Sequence, residues 1–242
     1  MDLRKLGRFG GALTLSVMLA LFLTGCGNKN ATTGTDDTAA NAGPAIKTGV
    51  KPEADSEVAV VELENPAYGK MVIELYPNIA PKMVERFKQL VKEGFYDGTT
   101  FHRIDPELGI IQGGDPNSRD NDLSNDGAGD SLYPNVPGEF SDVPFDRGIV
   151  GAARKGENRN PRAGPIMTDA LARDTNNCQF YVTLRRVPAF DGNYVVFGKV
   201  IEGIGNADVI ANAPVVARGG GGPPTSPVEK ITIKKITLQP HK

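Results

Sequence analysis

The chain has 242 residues, of which 39% are hydrophobic and 23% are charged, and its formal net charge is -2. A nucleic-acid partner is not expected, because nucleic-acid binders carry a clustered positive excess and here 27 Lys and Arg face 29 Asp and Glu. The 29 Gly and 18 Pro predict many tight turns between short elements, so we expect a mainly β fold.

The first 25 residues have the pattern of a cleaved signal peptide. A basic N-terminus precedes an uncharged stretch, 9–23, and small residues then lead to Cys26. The uncharged stretch is shorter than the roughly 20 residues that cross a bilayer as a helix. The segment resembles a bacterial lipoprotein signal, which implies cleavage before Cys26 and lipidation of that cysteine. The alternative is an ordinary secretory signal with a chance cysteine.

Residues 26–56 predict a disordered, lipid-anchored linker, because they contain almost no large apolar side chain. The linker would give the following domain a reach of ~30 Å from the membrane. The domain is then expected outside the cytoplasm of a bacterium, in the periplasm or at the cell surface, and the choice of membrane stays open. Once Cys26 is lipidated, Cys178 has no disulfide partner, and we expect it to be a small packing residue.

The folded domain is predicted over 57–242. Pro81 can begin a helix with apolar residues at helical spacing, and Gly94 can end it. A second short helix is predicted over Asn206–Ala211. The predicted strands are Val58–Leu63, Met71–Leu75, Thr100–Arg103, Gly109–Gln112, Ile149–Ala153, Gln179–Leu184, Val195–Val200 and Val228–Leu238. Strands of this number and length can close into a barrel, which removes exposed sheet edges.

Four short motifs carry the chemistry of the chain, and they contain no nucleophile, acid/base pair or metal-ligand set. They are Phe101-His102-Arg103, Gln112-Gly113-Gly114-Asp115, Gln179-Phe180-Tyr181 and Val195-Val196-Phe197-Gly198-Lys199. Together with Glu93–Thr100 and Asp191-Gly192, these motifs resemble the cyclophilins, and the resemblance extends from about Glu57 to the C-terminus.

The resemblance to the cyclophilins implies a closed eight-stranded antiparallel barrel capped by two helices, with peptidyl-prolyl cis-trans isomerase activity in a groove on the outer face. The residues that it makes catalytic are Arg103, Gln112 and Tyr181. Those that it makes substrate-binding are His102, Leu108, Ile110, Ala153, Arg154, Gln179, Phe190 and Tyr194. The expected partners of this monomer are proline-containing peptides and unfolded exported proteins, whose folding it would assist. Neither a cofactor nor a metal is expected.

These residue types suit the rotation of an X-Pro bond, which amide resonance opposes with a barrier of about 18–20 kcal/mol. A guanidinium near the prolyl nitrogen can donate a hydrogen bond to the lone pair once that pair leaves conjugation, and Arg103 stays charged at any relevant pH. Isomerisation moves no proton. We therefore expect His102 to line the substrate site rather than to act as a base.

The chain also departs from the cyclophilin pattern. The stretch between Arg103 and Gln112 is one residue longer than usual, with Leu108 and Ile110 in place of a phenylalanine and a methionine. An insertion near 155–173 follows Arg154, which replaces a common asparagine. These changes leave a second hypothesis open, namely a catalytically weak peptide-binding or chaperone module on the same scaffold.

The acidic loop 120–127 has alternating oxygen-bearing residues, as calcium loops do. An EF-hand needs glycine at its sixth position and glutamate at its twelfth, where this chain has Asn125 and Ser131. The sequence therefore predicts a turn-rich loop beside the groove rather than a calcium site.

Overall fold

The computed structural model describes residues 45–162, 165–217 and 223–242. All of them belong to one unit, Asn41–Lys242. The predicted signal peptide 1–25, Cys26 and the linker up to residue 44 lie outside the described residues. Within the three described ranges, no helix is both long enough and apolar enough to cross a membrane.

Short strands dominate the regular structure. In chain order the strands are β1 (Ile46–Lys47), β2 (Glu57–Leu63), β3 (Lys70–Leu75), β4 (Arg103–Asp105), β5 (Ile110–Gly113), β6 (Phe140–Ser141), β7 (Ile149–Ala152), β8 (Phe180–Thr183), β9 (Val195–Glu202), β10 (Val215–Ala217), β11 (Pro224–Pro227) and β12 (Ile233–Pro240). The α-helices are α1 (Pro81–Lys92), α2 (Asp169–Ala172) and α3 (Ile204–Ala211). The predicted mainly β fold and both predicted helices are confirmed.

Eight strands form one antiparallel sheet in the order β12-β2-β3-β9-β7-β8-β5-β4. The sheet curls into a half-barrel, and the predicted closed barrel is wrong, because no ladder joins β4 to β12 in the described chain. Both end strands are shorter than predicted. Residues such as Thr100 and Thr232, which meet at the seam, therefore lie outside the regular strands. The seam is spanned by one bridge, Thr100 to Thr232, and by backbone hydrogen bonds such as those from Phe101 N to Ile231 O (3.0 Å) and from Ile233 N to Thr99 O (2.7 Å).

The inner face of the sheet and helix α1 enclose the main apolar core. Met83, Phe87 and Leu90 recur at helical spacing on α1 and are fully buried. The Phe87 ring lies 5.7 Å from Phe180 of β8 and 5.3 Å from Phe197 of β9, measured between centroids. Cys178 is also buried, as the predicted packing role requires, and burial raises the pKa of its thiol to about 12.

Helix α1 has its N-terminus capped by a distant side chain. Pro81 occupies the first turn, and the residue before it, Ala80, provides no side-chain acceptor. Instead the Glu139 carboxylate accepts hydrogen bonds from the backbone N–H groups of Lys82 (3.2 Å) and Met83 (3.0 Å). The negative charge also complements the positive end of the helix dipole. Glu139 thereby ties α1 to the segment that leads into β6.

The ordered structure begins before the predicted boundary at Glu57. Residues 45–56 belong to the predicted disordered linker, yet β1 pairs with β6 in parallel. The Lys47 ammonium donates to the carbonyls of Asn78 (3.1 Å) and Ile79 (2.8 Å), and Asp55 pairs with Lys88 at 2.9 Å. The composition of this segment predicts disorder because it offers few apolar groups, but its contacts are hydrogen bonds and ion pairs to residues far along the chain.

We expect Glu139→Ala to destabilise the domain by about 1 kcal/mol, the usual loss on removing a helix cap. Equilibrium unfolding in urea measures this change. Glu85→Ala is the matched control, because Glu85 is an exposed residue of the same helix and its loss leaves the cap in place. Equal stabilities of the two variants would contradict the capping role of Glu139.

Candidate functional site

Strand register places the predicted catalytic side chains in one row. Arg103 of β4 pairs with Gln112 of β5, Gln112 pairs with Tyr181 of β8, and Tyr181 pairs with Gly151 of β7. Residues opposite each other on antiparallel strands point to the same face of the sheet. Their sequence neighbours Ile111 and Phe180 lie in the core. The row therefore lies on the outer face.

A chain of hydrogen bonds holds the polar part of this row. Arg103 Nη1 donates to Gln112 Oε1 at 3.3 Å, and Gln112 Nε2 donates to Gln179 Oε1 at 3.0 Å. Gln179 Nε2 in turn donates to the Gly129 carbonyl at 2.8 Å. Each amide thus has a defined orientation, which fixes the position of the guanidinium that begins the chain.

Asp105 is a site residue that the sequence analysis missed. Its Oδ2 accepts from Arg103 Nη2 at 2.7 Å, and its Oδ1 accepts from the Leu108 backbone N–H at 2.9 Å. The carboxylate therefore orients Arg103 and shapes the turn that follows β4. The sequence did contain a signal for Asp105. It lies two residues after Arg103 on the same strand, and residues two apart on a strand share a face.

Aromatic rings form the apolar part of the site. The Tyr181 ring lies 6.0 Å from Phe145, 5.5 Å from Phe190 and 6.0 Å from Tyr194, measured between centroids. Ile110, two residues before Gln112 on β5, is buried in the same cluster. Burial raises the pKa of Tyr181 well above its ordinary value, so its phenol stays neutral. The cluster provides an apolar, uncharged floor beside Arg103.

Gly151 makes room for the Tyr181 ring. A Cβ on residue 151 would lie 2.4 Å from Tyr181 Cζ and 2.5 Å from its hydroxyl oxygen, far inside van der Waals contact. That hydroxyl is buried and has no hydrogen-bond partner among the described residues. Neither Gly151 nor Phe145 is predicted from the sequence, because packing against Tyr181 is visible only once the strands are paired.

The row and the rings border a groove of about 550 Å³, although Gly151 and Phe145 do not line it. Leu108 stands at its rim and is 37% exposed, whereas Ile110 is 3% exposed. The other predicted site residues that line it are His102, Arg103, Gln112, Ala153, Arg154, Tyr181, Phe190 and Tyr194. The lining residues that were not predicted are Asp126, Gly127, Lys155, Gly156 and Thr225. The structure thus brings every predicted site residue except Gln179 to this groove.

Gln179 lines a second cavity of about 480 Å³, which shares Gln112, Ala153 and Arg154 with the groove. The Ala153 backbone N–H donates to the Gln179 carbonyl at 2.9 Å. A bound peptide would therefore have to use the carbonyl of Ala153 rather than its N–H group. Together the two cavities form an extended surface with room for more than one residue of a bound peptide.

The predicted insertion supports one wall of the groove. Asp169, the first residue of α2, pairs with Arg154 at 2.8 Å and with Arg173 at 2.8 Å. Hydrogen bonding to Arg173 and to Arg154 lowers the pKa of Asp169, which keeps the carboxylate ionised. Arg154 lies over the Tyr194 ring, 4.6 Å from its centroid. The insertion thus holds a cation against the aromatic floor.

The acidic loop 120–127 uses its carboxylates locally. Asp120 accepts from the Asp122 backbone N–H at 2.7 Å, and Asp122 accepts from that of Ser124 at 2.9 Å. Such Asx turns stabilise a loop without a metal. The described part of the chain contains no group of three or more His, Cys, Asp or Glu side chains placed to hold a metal ion.

Comparisons with known proteins agree on one family. Residues 59–238 match the family model described as "Cyclophilin type peptidyl-prolyl cis-trans isomerase/CLD". The chain is 36% identical over 173 residues to the "Probable peptidyl-prolyl cis-trans isomerase" of Brucella suis, covering 70% of this chain and 80% of the relative. It is 38% identical over 148 residues to "Peptidyl-prolyl cis-trans isomerase ppi1" of Schizosaccharomyces pombe, covering 61% and 81%.

Solved structures give the same result. A cyclophilin-type peptidyl-prolyl cis-trans isomerase of Cryptosporidium parvum superposes with a TM-score of 0.60 at 29% identity, covering 77% of this chain and 99% of that one. The same isomerase crystallised in the presence of the dipeptide Ala-Pro gives a TM-score of 0.59 at 27% identity, covering 76% and 99%.

We expect Gly151→Ala to destabilise the domain by about 1–3 kcal/mol, because the new methyl group overpacks the site against Tyr181. Urea unfolding measures the loss. Gly156→Ala is the matched control, since a Cβ on Gly156 meets nothing within 4 Å. If both variants unfolded at the same urea concentration, Gly151 would not be needed to seat the ring.

Proposed function

Since the chain belongs to the cyclophilin-type peptidyl-prolyl cis-trans isomerases, we propose that its reaction takes place in the groove and that Arg103 lowers the rotational barrier. The chain is an isomerase of X-Pro peptide bonds. The observation that carries the proposal is the row of Arg103, Gln112 and Tyr181, which sets a cation, an amide and a ring side by side on one face.

The proposed role of Arg103 follows from the electronic structure of the amide. In the planar states the prolyl nitrogen shares its lone pair with the carbonyl, and in the twisted state that pair is localised and can accept a hydrogen bond. An N–H group of Arg103 placed beside the nitrogen therefore stabilises the twisted state more than either planar state. Differential stabilisation of this kind is what raises the rate.

The surroundings of Arg103 support this role. Asp105 and Gln112 hold the guanidinium from two sides, and its side chain is 34% exposed, so it is both fixed and accessible. A 10⁵-fold acceleration requires about 7 kcal/mol of differential stabilisation. One charge-assisted hydrogen bond contributes about 1.5–3 kcal/mol. Orientation of the peptide and exclusion of water must therefore contribute the remainder.

The aromatic floor is the proposed seat of the proline ring. Ile110, Tyr181 and Phe190 are buried, and Tyr194 and Leu108 complete the wall and the rim. An apolar ring enclosed by these groups loses contact with water, which favours binding and strengthens the nearby hydrogen bond from Arg103. Leu108, at the edge of the groove, is the residue proposed to replace the missing phenylalanine.

Polar groups on either side would hold the flanking peptide. Gln112 and Gln179 are fixed by their mutual hydrogen bond, and the Ala153 carbonyl lies at the same wall. His102 is buried at the groove and is proposed to line the substrate rather than to transfer a proton. With the flanking peptide groups held, rotation is confined to the bond beside Arg103.

We also propose that the isomerase is anchored to a bacterial membrane through lipidated Cys26 and assists the folding of exported proteins, in the periplasm or at the cell surface. The support is the sequence of residues 1–26, with its basic start, its uncharged stretch and the small residues before the cysteine. Several acyl chains on one cysteine would give stable attachment.

A peptide-binding module with weak catalysis is the second candidate. The observation in its favour is that Asp105 already occupies one face of the Arg103 guanidinium at 2.7 Å. A guanidinium has five N–H groups, so donors remain for the prolyl nitrogen. This is why we favour the enzymatic role, and the loss of activity in an Arg103 variant separates the two.

We expect Arg103→Ala to lower kcat/KM for proline isomerisation by about 100-fold or more, because preorganised donors contribute that much to other reactions. A proline-limited refolding assay or a peptide isomerisation assay measures the change. Arg147→Ala is the matched control, since Arg147 pairs with Asp208 at 2.6 Å and does not line the groove. Near-normal turnover by folded Arg103→Ala would remove Arg103 from catalysis.

We expect Cys26→Ser to move the protein from the membrane fraction to the soluble fraction of a host that processes lipoproteins, because the thioether that carries the lipid forms only on a cysteine thiol. Cell fractionation followed by mass spectrometry of the N-terminal peptide measures the outcome. Cys178→Ser, which changes the buried cysteine, is the control and should stay with the membrane. Membrane retention of Cys26→Ser at the level of the unchanged chain would contradict the anchor.

A further inference from the structure

Arg154 is a buried cation in the wall of the groove. Its side chain is only 8% exposed, and it borders both the groove and the second cavity. The guanidinium stacks on Tyr194, whose ring lies 6.0 Å from Tyr181 and 4.6 Å from Phe190. Arg154 therefore lies immediately beside the rings proposed to hold the proline.

The charge of Arg154 is only partly balanced. Its partner Asp169 also pairs with Arg173 at the same distance of 2.8 Å, so one carboxylate serves two guanidinium groups. Arg173 is further engaged by the Asn193 side-chain oxygen at 2.7 Å, which is neutral. This cluster on the groove wall thus carries more positive than negative charge.

The rest of the groove adds no further positive excess, so the surplus charge lies at the Arg154 cluster. The described lining residues include the cations Arg103, Arg154 and Lys155 and one carboxylate, that of Asp126. The carboxylates of Asp105 and Asp130 pair with Arg103 (2.7 Å) and Lys155 (3.0 Å). Of these two, Asp105 is not among the groove-lining residues, while Asp130 lines only the second cavity.

Hydrogen-bonding capacity also remains on Arg154. Asp169 accepts from Nη2, while Nε is buried without a hydrogen-bond partner in the described part of the chain. A guanidinium carries five N–H groups, so donors other than the buried Nε and the one bonded to Asp169 are left for other acceptors. A carboxylate is the acceptor that gains most, because hydrogen bonds between ionised partners are roughly twice as strong as neutral ones.

We propose that Arg154 makes the groove selective for peptides that carry an aspartate or glutamate close to the proline. This inference rests on the proposed function, since it assumes that the proline ring occupies the pocket of Tyr181, Phe190 and Tyr194. The insertion takes part as a positioning element, because Asp169 holds Arg154 against the ring of Tyr194. The substrate class is then acidic X-Pro segments of unfolded proteins.

The test uses matched peptides that differ by aspartate or asparagine at one position, scanned over the residues that flank a single proline. We expect the aspartate peptide to have a kcat/KM about 10-fold higher at one of these positions, in line with a charge-assisted hydrogen bond. The preference should shrink as salt is raised from 0.05 to 1 M, where screening shortens the Debye length to roughly 3 Å. Equal turnover of all pairs would overturn the proposal.

Variants assign the preference to one side chain. Arg154→Gln should bring the aspartate-to-asparagine ratio to 1. Lys155→Gln is the matched control, a neighbouring cation that should keep most of the ratio. Each ratio compares two peptides on one protein, so a smaller folded fraction cancels. A ratio that survives in Arg154→Gln overturns the proposal, and so does one lost equally in Lys155→Gln.

This outcome is distinguishable from failure of the proposed catalytic role. If Arg103→Ala retained turnover, the role of Arg103 would fail while the aspartate-to-asparagine ratio of the unchanged chain could still be measured. If instead Arg103→Ala lost turnover and the ratio were 1 at every position, the catalytic role would stand and the acidic selectivity would fail.

Discussion

The antiparallel register of β4, β5, β8 and β7 is the constraint on which the site depends. It brings Arg103, Gln112, Tyr181 and Gly151 from separate parts of the chain into one row. A slip of one residue in any of these strands would turn a site residue into the core and a core residue outward. The rings of Phe180 and Phe197 around α1 oppose such a slip, because they fill the inner face. The same packing that stabilises the domain therefore sets the geometry of the groove.

Acidic residues behind the groove form a second common feature. Asp105, Asp169 and Asp130 each pair with a cation that lines the groove. A cation that is paired on one side keeps its charge and its orientation in a partly buried place, where an isolated charge would be costly. The groove thus has a fixed polar lining beside an apolar floor, and each part limits which peptides fit.

Much of the site could be predicted from the sequence, because its four motifs follow the cyclophilin pattern and their strands have clear apolar runs. Asp105 could also have been predicted, since it lies two residues beyond Arg103 on one strand. Gly151 and Phe145 could not, because their role is a contact with Tyr181 across strands. The open seam of the half-barrel was also beyond the sequence, since irregular backbone at Thr100 and Thr232 depends on how the two end strands meet.

The ordered segment 45–56 has a mechanical consequence. Any pull on the residues before Ala45 enters the domain through β1, which forms two residue pairs with β6. Such a short strand yields at a lower force than the eight-stranded sheet, so it would give way first and leave the sheet intact. Ile46 also packs beside Gly192, which lies between the pocket residues Phe190 and Tyr194 in the sequence. A Cβ on Gly192 would lie 3.2 Å from Ile46 Cδ1. Tension along the chain would therefore be felt first at the edge of the pocket proposed for the proline ring.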